Sequence, residues 1–143
     1  MTRRGFFAFA VLHVAAHVVA LTAWADDRTD ALDVVTPLAT ALANSDPDGF
    51  AQSLPRDLEN RAEIRANVAA LIAQAEVTSS VEVLSASKGE AELDWYMEIR
   101  SRATAMVVER RRGTVRIKWK KTRLVALEPS SYFAPPKAAD PVR

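Results

Sequence analysis

Hydrophobic positions change rhythm twice along this chain. From Phe6 to Ala25 they run almost unbroken, interrupted by His13, His17 and Thr22. From Asp26 to Glu76 they recur every three or four residues, the period of one buried helix face. After Val77 they alternate with polar residues, the period of a strand with one buried and one wet face.

The helical part divides at its prolines. Leu32, Val35, Leu38, Ala39 and Leu42 predict a helix over 26–43, with a kink or split where Pro37 removes a backbone donor. Ser45 or Asp46 before Pro47 reads as the cap of a short second helix, which carries Phe50 and Leu54 and ends at Pro55. A third helix is predicted over 56–76, with Ile64, Val68, Leu71, Ile72 and Ala75 on one face.

In the alternating part, Val81 and Val83 mark a first strand and Lys88-Gly89 a turn. Ala91, Leu93, Trp95, Met97 and Ile99 alternate with acids, Tyr96 and Arg100 in a second strand. Val115, Ile117 and Trp119 belong to a long third strand, in which Gly113 suggests a bulge or bend. Arg123 to Leu127 form a fourth, and Tyr132-Phe133 are placed to pack back as an apolar clasp. Helices followed by an antiparallel meander make an α+β fold of two layers.

The unbroken apolar stretch changes how the rest is counted. Arg3-Arg4, the apolar run and the Ala23-Trp24-Ala25 exit are the parts of a secretory signal peptide. The stretch is long enough to span roughly 30 Å of hydrocarbon, but its histidines and the Ala-x-Ala exit favour cleavage after Ala25. The chain has no Cys to carry a lipid at that point. Thr2-Arg3-Arg4-Gly5-Phe6-Phe7 also resembles a twin-arginine motif, so the general secretory and twin-arginine routes both stay open. The expected organisation is a signal peptide over 1–25, an α+β domain over 26–133 and a flexible tail over 134–143, in an exported protein of the bacterial periplasm or exterior.

Cleavage would remove His13 and His17, leaving a domain without His or Cys. That excludes His- or Cys-dependent nucleophilic catalysis and His/Cys metal sites. No catalytic residue, metal or cofactor is assigned on this reading. Of the remaining charges, residues 26–99 carry 15 acids and 5 bases, and residues 100–143 carry 3 acids and 12 bases.

The order of elements resembles the nuclear-transport-factor-2-like superfamily, a cone fold related to cystatin-like topologies. The resemblance spans 27–136. It is carried by Ala91 to Ile99, by Arg110-Arg111-Arg112-Gly113-Thr114-Val115-Arg116-Ile117-Lys118-Trp119, by Leu124 to Pro129 and by Ser131 to Pro136. It implies a curved four-stranded sheet wrapped around a helix, with a pocket between them. Such scaffolds include isomerases, dehydratases and polyketide cyclases, and also many members with no known activity, so function belongs to the pocket.

The candidate ligand-binding residues of that pocket are Phe50, Leu71, Trp95, Met97, Ile117 and Trp119, with the two tryptophans as its expected walls. The same residues would also serve to fill the core of a small domain. Glu109 shares the inner parity of the third strand, with Arg111 beside it as a possible partner. Glu109 or Tyr132 would be the proton-transfer group of an isomerase-type alternative. Tyr96, on the outer face among Asp94, Glu98 and Arg100, suggests a homodimer interface. The bases Arg116 and Lys118 face the acids of the neighbouring strand, which argues for cross-strand pairing rather than nucleic-acid binding. The expectation is a non-catalytic binding domain, with a small apolar ligand or a second copy as partner. A structural or interaction module with a filled core is the third reading.

Overall fold

The computed structural model describes residues 25–137. The expected signal peptide lies, but for Ala25, outside the described residues, as do residues 138–143 of the expected tail.

Helix α1 covers residues 25–43 and passes through Pro37 without a break, contrary to the expected split. The donor that Pro37 lacks falls on an exposed side of the helix. The hydroxyl of the preceding residue, Thr36, donates to the Leu32 carbonyl at 2.6 Å. Ala31, Val35, Leu38 and Leu42 are buried and hold α1 on the core. Asp46 caps α2 (Pro47–Gln52) by accepting from the Gly49 amide at 2.9 Å, with Pro47 in the first turn.

The next helix, α3, is shorter than its apolar period suggested. It spans Arg61–Gln74. Before it, the chain makes successive tight turns, Leu58 N–H to Pro55 O and Arg61 N–H to Leu58 O, each at 3.1 Å, and these bury Leu58. Asn60 anchors the helix start by donating to the Leu127 carbonyl at 2.9 Å. At the other end Ala75 turns extended at once, and its side chain enters the sheet's buried face.

Four strands follow in simple antiparallel order: β1 (Ala75–Ser87), β2 (Glu90–Ser101), β3 (Val107–Lys120) and β4 (Arg123–Glu128). The β1–β2 turn places Lys88 and Gly89 at φ 48° and 80°, the left-handed pair that a two-residue hairpin requires. A Cβ on Gly89 would also lie 2.7 Å from the Trp119 carbonyl oxygen. A cis Glu128–Pro129 bond leads from β4 into a 3₁₀ turn, Ser130–Phe133.

Gly113 makes no bulge. The β2–β3 register runs straight through Trp95↔Gly113, and the shifts fall instead between Val83 and Ser85, at Val108 and at Val125. Gly113 serves a close approach: a Cβ there would lie 3.0 Å from the Tyr132 ring. The C-terminal clasp thus packs directly on the backbone of β3.

The two faces of the sheet are sharply distinct. The inner face presents Leu93, Trp95, Met97, Ile99, Val115 and Ile117, all essentially fully buried beneath the helices. The outer face carries the charges. Glu90 pairs with Lys118 at 3.3 Å, Glu92 with Arg116 at 3.3 Å, and Asp94 with Arg112 at 3.5 Å. The acidic and basic strands therefore neutralise each other side by side, as their alternation predicted.

Candidate functional site

The inner face of the sheet is where the sequence placed a pocket, and all six predicted lining residues are there or on the helices facing it. Phe50 comes from α2, Leu71 from α3, Trp95 and Met97 from β2, and Ile117 and Trp119 from β3; each is buried. They do not form one wall. Trp95 pairs with Gly113, six positions along β3 from Trp119, a separation of about 20 Å at the usual strand rise. Trp119 instead lies by the β1–β2 turn, where its amide donates to the Gly89 carbonyl at 2.9 Å.

The centre of the inner face is an aromatic cluster. Phe133 stands edge-on to Trp95 at 5.2 Å between ring centroids, and to Phe50 at 5.6 Å. Tyr132 packs on Phe133 at 5.5 Å and on Trp95 at 6.3 Å. The clasp thus joins Trp95 to Phe50, which do not pair directly. Its signal in the sequence was the isolated Tyr-Phe after the last strand.

Three groups fasten the clasp. The Tyr132 hydroxyl donates to the Trp95 backbone carbonyl. Asn67 donates to the Ser130 carbonyl at 3.1 Å. Arg111 donates to the carbonyls of Tyr132 at 2.6 Å and Ala134 at 2.7 Å, and its other edge holds Glu109 in a two-point pair at 2.5 and 3.2 Å. The sequence suggested the Glu109–Arg111 pair by parity. It gave no sign that Arg111 also grips a segment more than twenty residues away.

The electrostatics follow from these contacts. The hydrogen bond from Arg111 holds the Glu109 carboxyl below the usual carboxylate range, outweighing the opposing effect of partial burial. Burial pushes the Tyr132 phenol up to about 12. A lowered carboxylate is a weakened base, and a phenol raised to about 12 and bonded to a backbone carbonyl is a weak acid.

Two buried polar atoms stand apart. The indole Nε1 of Trp95 and the hydroxyl Oγ of Ser79 have no hydrogen-bond partner among the described residues. Ser79 faces Met97 across the β1–β2 pair, one inner-face position from Val81↔Trp95, so the two orphans belong to diagonal neighbours on one face. The sequence did not single out Ser79, although a Ser at an apolar parity was the signal available.

The outer face offers a different feature. A cleft of about 520 Å³ lies over the β1–β2 hairpin end, bordered by the Glu90–Lys118 and Glu92–Arg116 pairs and by Glu128. Tyr96 is half-buried on this face, with the Arg112 guanidinium 5.6 Å from its ring centre.

No family model matches the chain, and no curated protein matches its sequence significantly. Solved structures do share its fold. The chain is similar to a Δ5-3-ketosteroid isomerase from Mycobacterium sp. (TM-score 0.57, 13% identity, covering 68% of this chain and 89% of that one). It is similar to a computationally designed 17-OHP binder (TM-score 0.54, 14% identity, 67% and 86%). A third is a protein of unknown function with a cystatin-like fold from Nostoc punctiforme (TM-score 0.52, 12% identity, 71% and 87%). Helices on a four-stranded antiparallel sheet, a covered apolar inner face and these counterparts together establish that this chain has a cystatin-like α+β fold.

Proposed function

We propose that this chain is an exported, non-catalytic binding domain that holds a small apolar molecule on the inner face of its sheet. The observation that carries the reading is how the ionisable groups near that face are used. Glu109 is paired with Arg111, and the Tyr132 hydroxyl is bonded to a backbone carbonyl. The inner face is therefore lined by apolar side chains, with Trp95, Met97, Leu71 and Phe50 buried at its centre. The same commitments weigh against Glu109 or Tyr132 as a proton-transfer group. Two fold neighbours, the ketosteroid isomerase and the 17-OHP binder, carry small organic ligands in their names, which is consistent with this use of the scaffold.

Native mass spectrometry of the protein purified from its own host tests the reading. The expected spectrum shows a mature chain beginning at Asp26 and a retained neutral molecule that organic extraction removes. Protein that carries nothing, and takes up no apolar probe after extraction, refutes the binding role.

Self-association is the second reading, and one observation favours it. Tyr96, a large aromatic, stands half-buried on the charged outer face with the Arg112 guanidinium 5.6 Å from its ring centre. Aromatic rings are enriched where one protein surface meets another. Sizing chromatography of wild type against Tyr96→Glu checks it; a wild-type monomer, or a dimer that the substitution leaves unchanged, refutes it.

A further inference from the structure

Nearly every polar group on the inner face is accounted for by the fold, and two are not. Ser101 accepts from the amides of Ala103 and Thr104 in the β2–β3 loop. Glu109 and Arg111 fasten the clasp. Ser79 Oγ and Trp95 Nε1, both buried, do nothing comparable. An unpartnered donor inside a protein is a cost that folding alone does not explain.

We propose that Trp95 Nε1 and Ser79 Oγ are the polar anchor of the interior site, and that they hold one neutral oxygen acceptor of an otherwise apolar ligand. This inference rests on the binding role proposed above and names the ligand's chemistry. The indole N–H can only donate, and the serine hydroxyl can donate as well, so both can converge on a single carbonyl oxygen with its two lone pairs. The two residues are diagonal neighbours on adjacent strands of one face, the spacing at which long side chains reach one another. A charged oxygen does not suit the place. The nearest inner-face cation, Arg111, is already committed to Glu109 and to two carbonyls of the clasp, and a bare carboxylate among buried apolar side chains would be costly.

The access route is also visible. On the inner face of β1, Val77 and Val83 are buried, whereas Ser79 and Val81 between them are half-buried. The stretch Ser79–Val81 is therefore the less covered part of that row, although the Ser79 hydroxyl itself is buried. A ligand entering there reaches the Trp95 indole from the β1 side and leaves Tyr132 and Phe133 in place.

A matched pair of probes separates the anchor from the apolar site beneath it: 2-acetonaphthone, and 2-isopropenylnaphthalene, in which a CH₂ group replaces the carbonyl oxygen. In the ¹H–¹⁵N spectrum of the purified protein, the Trp95 indole signal is the one that Trp95→Phe removes. The ketone is expected to move that signal and the alkene to leave it. By calorimetry the ketone is expected to bind about three- to tenfold more tightly, the net worth of a neutral hydrogen bond or slightly more. Trp95→Phe should abolish the preference for the ketone over the alkene, and Ser79→Ala, which leaves the apolar wall intact, should reduce it while holding the alkene's affinity within about twofold. Equal affinities with an unmoved Trp95 indole overturn the anchor and leave the apolar site standing. If neither probe binds the wild type, or if both bind without disturbing the signals of Leu71 and Met97, the interior-binding role falls with it.

Discussion

Gly113→Ala isolates the contact on which the C-terminal clasp depends. The added methyl would sit 3.0 and 3.1 Å from two atoms of the Tyr132 ring. The ring has little freedom to retreat. Its hydroxyl is bonded to Trp95, its backbone carbonyl is held by Arg111, and Phe133 packs against it at 5.5 Å. Overpacking of this kind costs about 1–3 kcal/mol. Replacing Gly by Ala in a strand returns about 0.5–1 kcal/mol. The expected net loss is about 0.5–2 kcal/mol, or a fall in Tm of about 2–8 °C for a domain of this size. Urea denaturation followed by circular dichroism measures it. Repeating the substitution in a Tyr132→Leu background gives the decisive comparison, because the three atoms nearest the added methyl all belong to the removed ring. There Gly113→Ala should raise stability by about 0.5–1 kcal/mol. A gain in the wild-type background, or the same loss in both backgrounds, would refute the close-approach account of Gly113.

Arg111→Met removes the grip on two carbonyls and leaves Glu109 unpaired; a loss of about 2–3 kcal/mol is expected. It should bring faster proteolysis after Phe133, while the helices keep their protection in hydrogen exchange. The two shifted groups set opposite pH limits. Glu109 has its folded pKa depressed, so its contribution is present above the ordinary carboxylate range and is lost as pH falls through the folded value. Tyr132 has its folded pKa raised from 10.0 to about 12, so its contribution is full below pH 10 and is lost as pH rises toward 12. Tyr132→Phe should remove the alkaline loss and keep the acid one, as read from Tm against pH. On the outer face, Arg116→Ala should cost under about 1 kcal/mol, and the cost should shrink in 1 M salt; a larger, salt-insensitive loss would show that the pair does more than neutralise its neighbour.

Most of the fold was written in period and parity. Leu93, Trp95 and Met97 alternate with Glu92, Asp94 and Glu98, and Ile117 and Trp119 alternate with Arg116 and Lys118. One pattern therefore specifies both the buried face and the charge pairs on the other side. Local signals misled where tertiary contact decided the outcome. Pro37 promised a break, but a single missing donor on an exposed side does not outweigh the buried row from Ala31 to Leu42. Gly113 read as a bulge because nothing local announced that Tyr132, nineteen residues later, would rest on it. The long apolar period ending at Ala75 over-extended α3, since an apolar residue satisfies a helix face and a sheet face equally well. The two tryptophans share a parity, but parity says which face a residue occupies and not how far along the strand it lies.

The inner face therefore sorts its own exceptions. A departure from the apolar pattern is explained either by a contact that the fold uses or by a function. Glu109 and Arg111 break the apolar parity of β3, and the reason is structural: they close the cone by holding Tyr132 and Ala134. Ser101 breaks the parity of β2 at its end, and it serves the loop that follows. Ser79 breaks the parity of β1 in mid-strand, where a Val would extend the row of Val77, Val81 and Val83 at no cost in propensity. Replacing a buried, unpartnered hydroxyl by an apolar side chain of similar shape should be neutral or stabilising. Ser79→Val is therefore expected to raise Tm while weakening retention of the ligand that native mass spectrometry detects. A Ser79→Val protein that is destabilised by more than about 1 kcal/mol would place the serine among the structural exceptions, with Glu109 and Arg111, and remove it from the site.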